Sequence, residues 1–141
     1  THEFGHFVVN RLLVERGVST TGVSLPLWFI EGLAECVANN VRRSRAYLPT
    51  PLLTEEELLL GISLSSVGRP ACRQAYAQAA VMVDILVGSL SAEQRVDAVS
   101  SFARQYKEQG DLDGALLAVF SIDRNTLLKR VADARVRPGV R

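Results

Sequence analysis

The sequence predicts an all-α chain of about six or seven helices, on three observations. Apolar residues recur at three- and four-residue steps almost everywhere. Two stretches, Thr54 to Glu57 and Ser91 to Gln94, have the form of capping boxes that open helices. No segment alternates convincingly; Ile62-Ser63-Leu64-Ser65 does, but it is too short to stand as a strand.

The first helix is expected from His2 to Arg16, with Phe4, Phe7, Val8, Leu12 and Val14 as its apolar positions and Gly17 as its stop. A polar loop, 19–24, follows. Pro26 sits where a first helical turn tolerates it and opens a helix through about Arg42. Pro49 and Pro51 mark an extended connection. The first capping box starts a short helix ending near Leu60, and 61–70 reads as loop. A long helix is expected from Ala71 to Val87, then one from Ser91 to Glu108, then a turn over 110–113. Two short helices, Leu112 to Val119 and Asp123 to Ala134, precede the closing Pro138 and Gly139.

Length and composition bound the function classes. The chain has 141 residues, the size of a single domain, and can bury a core without staples. It is 48% hydrophobic and 22% charged, which argues against disorder. Its mean hydropathy is +0.13. The longest apolar run, Ala75 to Leu90, is interrupted by Gln78 and Asp84, so no membrane span is expected in this chain. A net charge of +1 gives no electrostatic footprint for nucleic acid or anionic lipid. The arginines at 42, 43 and 45, and those at 135, 137 and 141, read as solvated surface. Cys36 and Cys72 form no disulfide framework; they read as buried small apolar residues, with a single bridge as the other option.

The chemistry concentrates at the start of the chain. The only two histidines, His2 and His6, are four apart in His2-Glu3-Phe4-Gly5-His6, an H-E-x-x-H sequence. For this composition the pattern arises by chance about once in a thousand. On a helix, positions i and i+4 share a face, so two imidazoles converge on one Zn²⁺. Glu3 adjoins the first histidine and is placed as general base for a water at the metal's open position. A third ligand must then be acidic or a thiol. Glu31 and Glu35 are also four apart, on an otherwise apolar helix, and two carboxylates there want a cation. Gly32 costs that helix roughly 1 kcal/mol relative to Ala, which makes sense if another backbone or a ligand passes close to Glu31.

His2-Glu3-Phe4-Gly5-His6, followed by Leu25-Pro26-Leu27-Trp28-Phe29-Ile30-Glu31-Gly32-Leu33-Ala34-Glu35, resembles the gluzincin zinc metallopeptidases, most of all the bacterial peptidase-MA-like domains. The segment Arg73-Gln74-Ala75-Tyr76-Ala77-Gln78-Ala79 and the turn Gly110-Asp111-Leu112-Asp113-Gly114-Ala115-Leu116 are similar to later parts of those domains, so the likeness covers most of the chain. The stretch between His6 and Glu31 is longer than in gluzincin aminopeptidases, and the loop 19–24 takes up the excess.

The resemblance implies a single catalytic domain over 1–141, hydrolysing peptide or protein substrates with one Zn²⁺. His2, His6 and Glu31 would be the metal ligands and Glu3 the general base. Glu35 would orient a histidine by taking its other ring N–H. Tyr76 reads equally as a hydrogen-bond donor to the reaction's oxyanion or as a core aromatic. Trp28 is expected as a core anchor between the two metal-binding helices, and Asp84 as a surface or helix-packing residue. The family places a β-sheet before this helix, so the sheet is expected upstream of Thr1, with weak zinc binding and poor cleavage without it. Any targeting signal would lie there too, and an extracytoplasmic or bacterial cell-envelope location stays open. Two other readings remain: a non-catalytic, metal-stabilised helical interaction module derived from such a peptidase, and a helical interaction domain without metal.

Overall fold

A computed structural model describes residues 1–18, 25–64 and 70–135. Among these are eight α-helices: α1 (His2–Glu15), α2 (Leu27–Val37), α3 (Val41–Ser44), α4 (Glu55–Ser63), α5 (Pro70–Val87), α6 (Ala92–Gln109), α7 (Leu112–Phe120) and α8 (Arg124–Asp133). A 3-10 turn, Arg45–Tyr47, continues from α3. The described residues contain no strand, as expected. None of their helices is alone long and apolar enough to cross a membrane.

The organising element is α5. Alanine-rich and helix-favouring at its start, it is buried at every position from Ala77 to Val83. A helix apolar all round belongs inside a bundle, and α2, α3, α4 and α8 pack around this one. Its small side chains let neighbours come close. A Cβ on Gly32 of α2 would lie 2.4 Å from the Ala79 carbonyl oxygen, and one on Gly61 of α4 would lie 2.7 Å from the Ala75 Cβ. The close passage expected at Gly32 is therefore made by α5. The buried Gln78 clamps the preceding connection: its Nε2 donates to the Leu53 carbonyl at 3.0 Å, and its Oε1 accepts from the Leu53 amide at 2.8 Å. A second core region joins α2 to α6 and α7, where the Phe29 and Phe102 rings stand 4.5 Å apart and Phe120 adds to Phe102 at 5.5 Å.

Both capping boxes form as expected, at Thr54–Glu57 and Ser91–Gln94. Asp111 and Asp123 cap α7 and α8 through their side chains. Several boundaries differ from expectation. The helix through Pro26 ends at Val37, because Asn39 takes a left-handed φ of 62° and turns the chain into the separate α3. Helix α4 continues past Leu60 to Ser63, since Gly61 meets α5 and does not stop the helix. Ile62 and Ser63 are accordingly helical, while 19–24, 65–69 and the closing Pro138 and Gly139 lie outside the described residues. Helix α1 also faces the other way: Phe4, Phe7 and Val14 point outward, and Gly5, Val9 and Leu13 are buried.

Candidate metal centre

Helix α1 starts with the Thr1 hydroxyl accepting from the Phe4 amide at 3.4 Å, so the turn carrying His2 is capped. Gly5 lies between the two histidines and against α2. A Cβ there would fall 2.5 Å from the Ala34 carbonyl oxygen and 2.8 Å from the Ala34 Cα. The bare glycine thus lets the backbones of α1 and α2 cross at contact distance. That crossing carries His2 and His6 over Glu31 and Glu35.

Three side-chain atoms converge. His2 Nε2 is 2.9 Å from Glu31 Oε2, His6 Nε2 is 3.0 Å from the same oxygen, and the two Nε2 atoms are 2.9 Å apart. On its far side His2 Nδ1 is 2.5 Å from Glu35 Oε1, and the Asn40 amide donates to Glu35 Oε2 at 3.0 Å. A carboxylate only accepts, so Nδ1 of His2 carries a hydrogen, and in the neutral ring Nε2 is left as a bare lone pair.

The triangle of Nε2, Nε2 and Oε2 has no solution in protons. An imidazole nitrogen that carries a hydrogen cannot also accept one. Whichever nitrogen is protonated, one edge remains with two acceptors, or two N–H groups, facing each other. A single cation bound by all three atoms removes the conflict. His2, His6 and Glu31 can each offer one donor atom to such an ion. Ligands held at about 2.0–2.1 Å around a tetrahedral Zn²⁺ lie about 3.3 Å apart, so edges of 2.9–3.0 Å reach that geometry by opening about 0.3–0.4 Å. Two imidazoles and one carboxylate are also the donor set of zinc sites that keep a position open. The His2 and His6 side chains are each 25% exposed and that of Glu31 is 13% exposed, so solvent reaches the cluster.

Of the remaining residues expected at the site, Glu35 and Tyr76 contact His2. Glu35 Oε1 lies at His2 Nδ1, the ring nitrogen turned away from the triangle. Tyr76, from α5, meets the His2 ring edge-on at 5.5 Å. Its ring also packs on the core, and its hydroxyl makes no hydrogen bond among the described residues. Burial raises the hydroxyl's pKa above its ordinary value, and the charges of Glu31, Cys72, Glu35 and Glu3 add to the rise. The hydroxyl therefore stays protonated, a donor. Glu3 is exposed on the first turn of α1 and makes no hydrogen bond or ion pair with the triangle among the described residues.

No family model matches the chain, and no curated protein or solved structure matches it either.

Other expectations resolve locally. Trp28 is buried, but it lines a cavity with Leu53, Leu58, Met82, Leu116 and Leu127, in the core of α4, α5, α7 and α8. Asp84 pairs with Arg45 at 3.2 Å. Cys36 and Cys72 are both free thiols. Cys36 donates to the Ala80 carbonyl, and burial, with Asp84 next, pushes its pKa up to about 12. Two residues important to the site escaped the sequence reading. Gly5 is one; its signal was a glycine in mid-helix, where a residue without a side chain needs a reason. Asn40 is the other, and nothing in its sequence context marks it.

Proposed function

We propose that the chain is a zinc peptidase module of the gluzincin type, hydrolysing peptide bonds at His2, His6 and Glu31. The observation that carries this reading is the donor triangle, whose 2.9–3.0 Å edges no arrangement of protons satisfies. Supporting it, the Glu35 carboxylate and the Asn40 amide hold His2 in the tautomer that presents Nε2 as a ligand. Bound zinc supplies Lewis acidity towards a carbonyl oxygen and towards water.

The chain's own residues do the rest. Glu3 takes a proton from the attacking water and returns one to the amine as the C–N bond breaks. The protonated Tyr76 hydroxyl donates to the oxygen on which negative charge develops.

Elemental analysis and a quenched peptide substrate test the reading together. One zinc per chain is expected, lost in Glu31→Ala. In Glu3→Gln zinc should stay while turnover falls at least ~10²-fold. Full zinc retention in Glu31→Ala refutes the ligand assignment. Zinc bound by the wild type without hydrolysis of any peptide favours the interaction module.

A further inference from the structure

A cavity of about 140 Å³ lies beside the donor cluster, with Glu35, Asn40, Arg43, Tyr47, Arg73 and Tyr76 in its wall. Glu35 and Tyr76 line it and also contact His2. The cavity therefore adjoins the histidine at which a peptide carbonyl would sit.

Its charge is unusual. Arg43 is in α3 and Arg73 lies three residues before Tyr76 on α5, and both reach Tyr47. Their guanidinium carbons stand 6.0 and 5.1 Å from the centroid of that ring. An aromatic face attracts a cation, and both arginines also line this one cavity. Among the described residues neither arginine makes an ion pair or a side-chain hydrogen bond; Arg45, close by, is paired with Asp84. The one carboxylate in the wall, Glu35, has its two oxygens engaged by His2 and Asn40.

We propose that this cavity binds a carboxylate of the substrate, with Arg43 and Arg73 as its donors. The proposal rests on the peptidase reading and adds a substrate class to it: peptides carrying an acidic side chain or a free C-terminus next to the bond hydrolysed. Guanidinium groups match the two oxygens of a carboxylate with paired N–H donors. The cavity is well below the ~300 Å³ at which sites for whole small molecules begin, and so suits one side chain or chain end. The negative Glu35 in its wall favours a monoanion over a phosphate dianion.

The test uses the full chain with Zn²⁺ and an alanine peptide along which one Glu, or one Gln, is moved, each version with a free or amidated C-terminus. Binding is read by calorimetry and turnover by mass spectrometry. At one position, or at the C-terminus, the charged version should bind about tenfold more tightly, the scale of a charge-assisted hydrogen-bond pair. The Glu and Gln arms separate a side-chain carboxylate from a terminal one. Arg43→Ala and Arg73→Ala should each cut this preference and leave zinc content unchanged. Arg73→Lys should keep only part of it. Acid preference without turnover upholds the subsite and favours the interaction module over the peptidase. Turnover with no acid preference does the reverse. The proposal is overturned if all peptides bind alike, if the preference survives both alanine substitutions, or if a phosphoserine peptide outbinds the Glu peptide.

Discussion

Replacing Gly5 with Ala should separate metal binding from folding. The added methyl would sit 2.5 Å from the Ala34 carbonyl oxygen and 2.8 Å from the Ala34 Cα, both backbone atoms that cannot rotate aside. Ordinary contact needs about 3.4 Å or more, so α1 and α2 must part by about 0.9 Å at their crossing. Two edges of the donor triangle, from His2 and from His6 to Glu31, span that crossing. They would lengthen from 2.9 and 3.0 Å to about 3.8–3.9 Å, past the ~3.3 Å that tetrahedral zinc accepts. Functional constellations tolerate only about 0.5 Å of displacement. The fold should survive: overpacking costs about 1–3 kcal/mol, and Ala returns up to about 1 kcal/mol of helix propensity. Zinc affinity, measured by competition with a chromophoric chelator, should therefore fall at least ~10-fold while the far-ultraviolet circular dichroism stays helical. A Gly5→Ala protein with wild-type zinc affinity would refute the argument that the helix crossing sets the site.

Three further outcomes follow from the surroundings of the triangle. Glu35→Ala frees the His2 ring to turn and to change tautomer, so zinc affinity should fall by about 10–100-fold with the three ligands still in place; chelator competition reads this. Tyr76→Phe should leave zinc affinity unchanged and, on the proposed role of its hydroxyl as donor to the developing charge, lower kcat more than it raises KM; a kinetically silent variant would return Tyr76 to the core. Cys36, its pKa pushed up to about 12 by burial and then by Asp84, should alkylate slowly in the folded protein at pH 8 and quickly in denaturant. The same raised pKa makes the folded state hold a proton that the unfolded thiol has lost, so stability should decline as pH rises from about 9 towards 12, and less so in Cys36→Ala.

Much of the site was legible because its chemistry is local in sequence. His2 and His6 share a face by helical periodicity alone, and Glu31 and Glu35 by the same rule, so each pair could be read before any packing was known. The fold class and both capping boxes rest equally on neighbours within one or two turns. What escaped depends on contacts between distant elements. Gly61 looks like a stop until α5 is seen to lie against it. The α1 stripe of Phe4, Phe7 and Val14 looks like a core face, but the histidines and Gly5 determine which side meets α2. Asn39 did carry a local signal, since asparagine tolerates the left-handed backbone that ends α2. The meeting of Arg43 with Arg73 over Tyr47 joins parts of the chain 30 residues apart, and no spacing rule reports it.

The two close helix crossings divide the work of the site between them, and Gly32→Ala tests that division. Helix α2 meets α1 at Gly5–Ala34 and α5 at Gly32–Ala79. The three donor atoms belong to α1 and α2 alone, whereas Tyr76 and Arg73 come from α5. A methyl on Gly32 would lie 2.4 Å from the Ala79 carbonyl oxygen and 2.5 Å from the Val83 Cγ2, so α5 must withdraw from α2 by about 1 Å. The α1–α2 crossing is untouched, and the triangle should keep its edges. Tyr76 would move away from His2, opening the 5.5 Å ring contact and drawing its hydroxyl off the developing charge. Because this crossing lies in the main core, the variant should lose about 1–3 kcal/mol in urea unfolding. Its zinc affinity should remain near wild type while kcat falls at least ~10-fold, a loss typical of a misplaced catalytic group. Gly5→Ala should show the opposite order, with metal lost while the chain stays folded. If Gly32→Ala releases zinc as readily as Gly5→Ala does, the helices move as one body and the two crossings do not act separately.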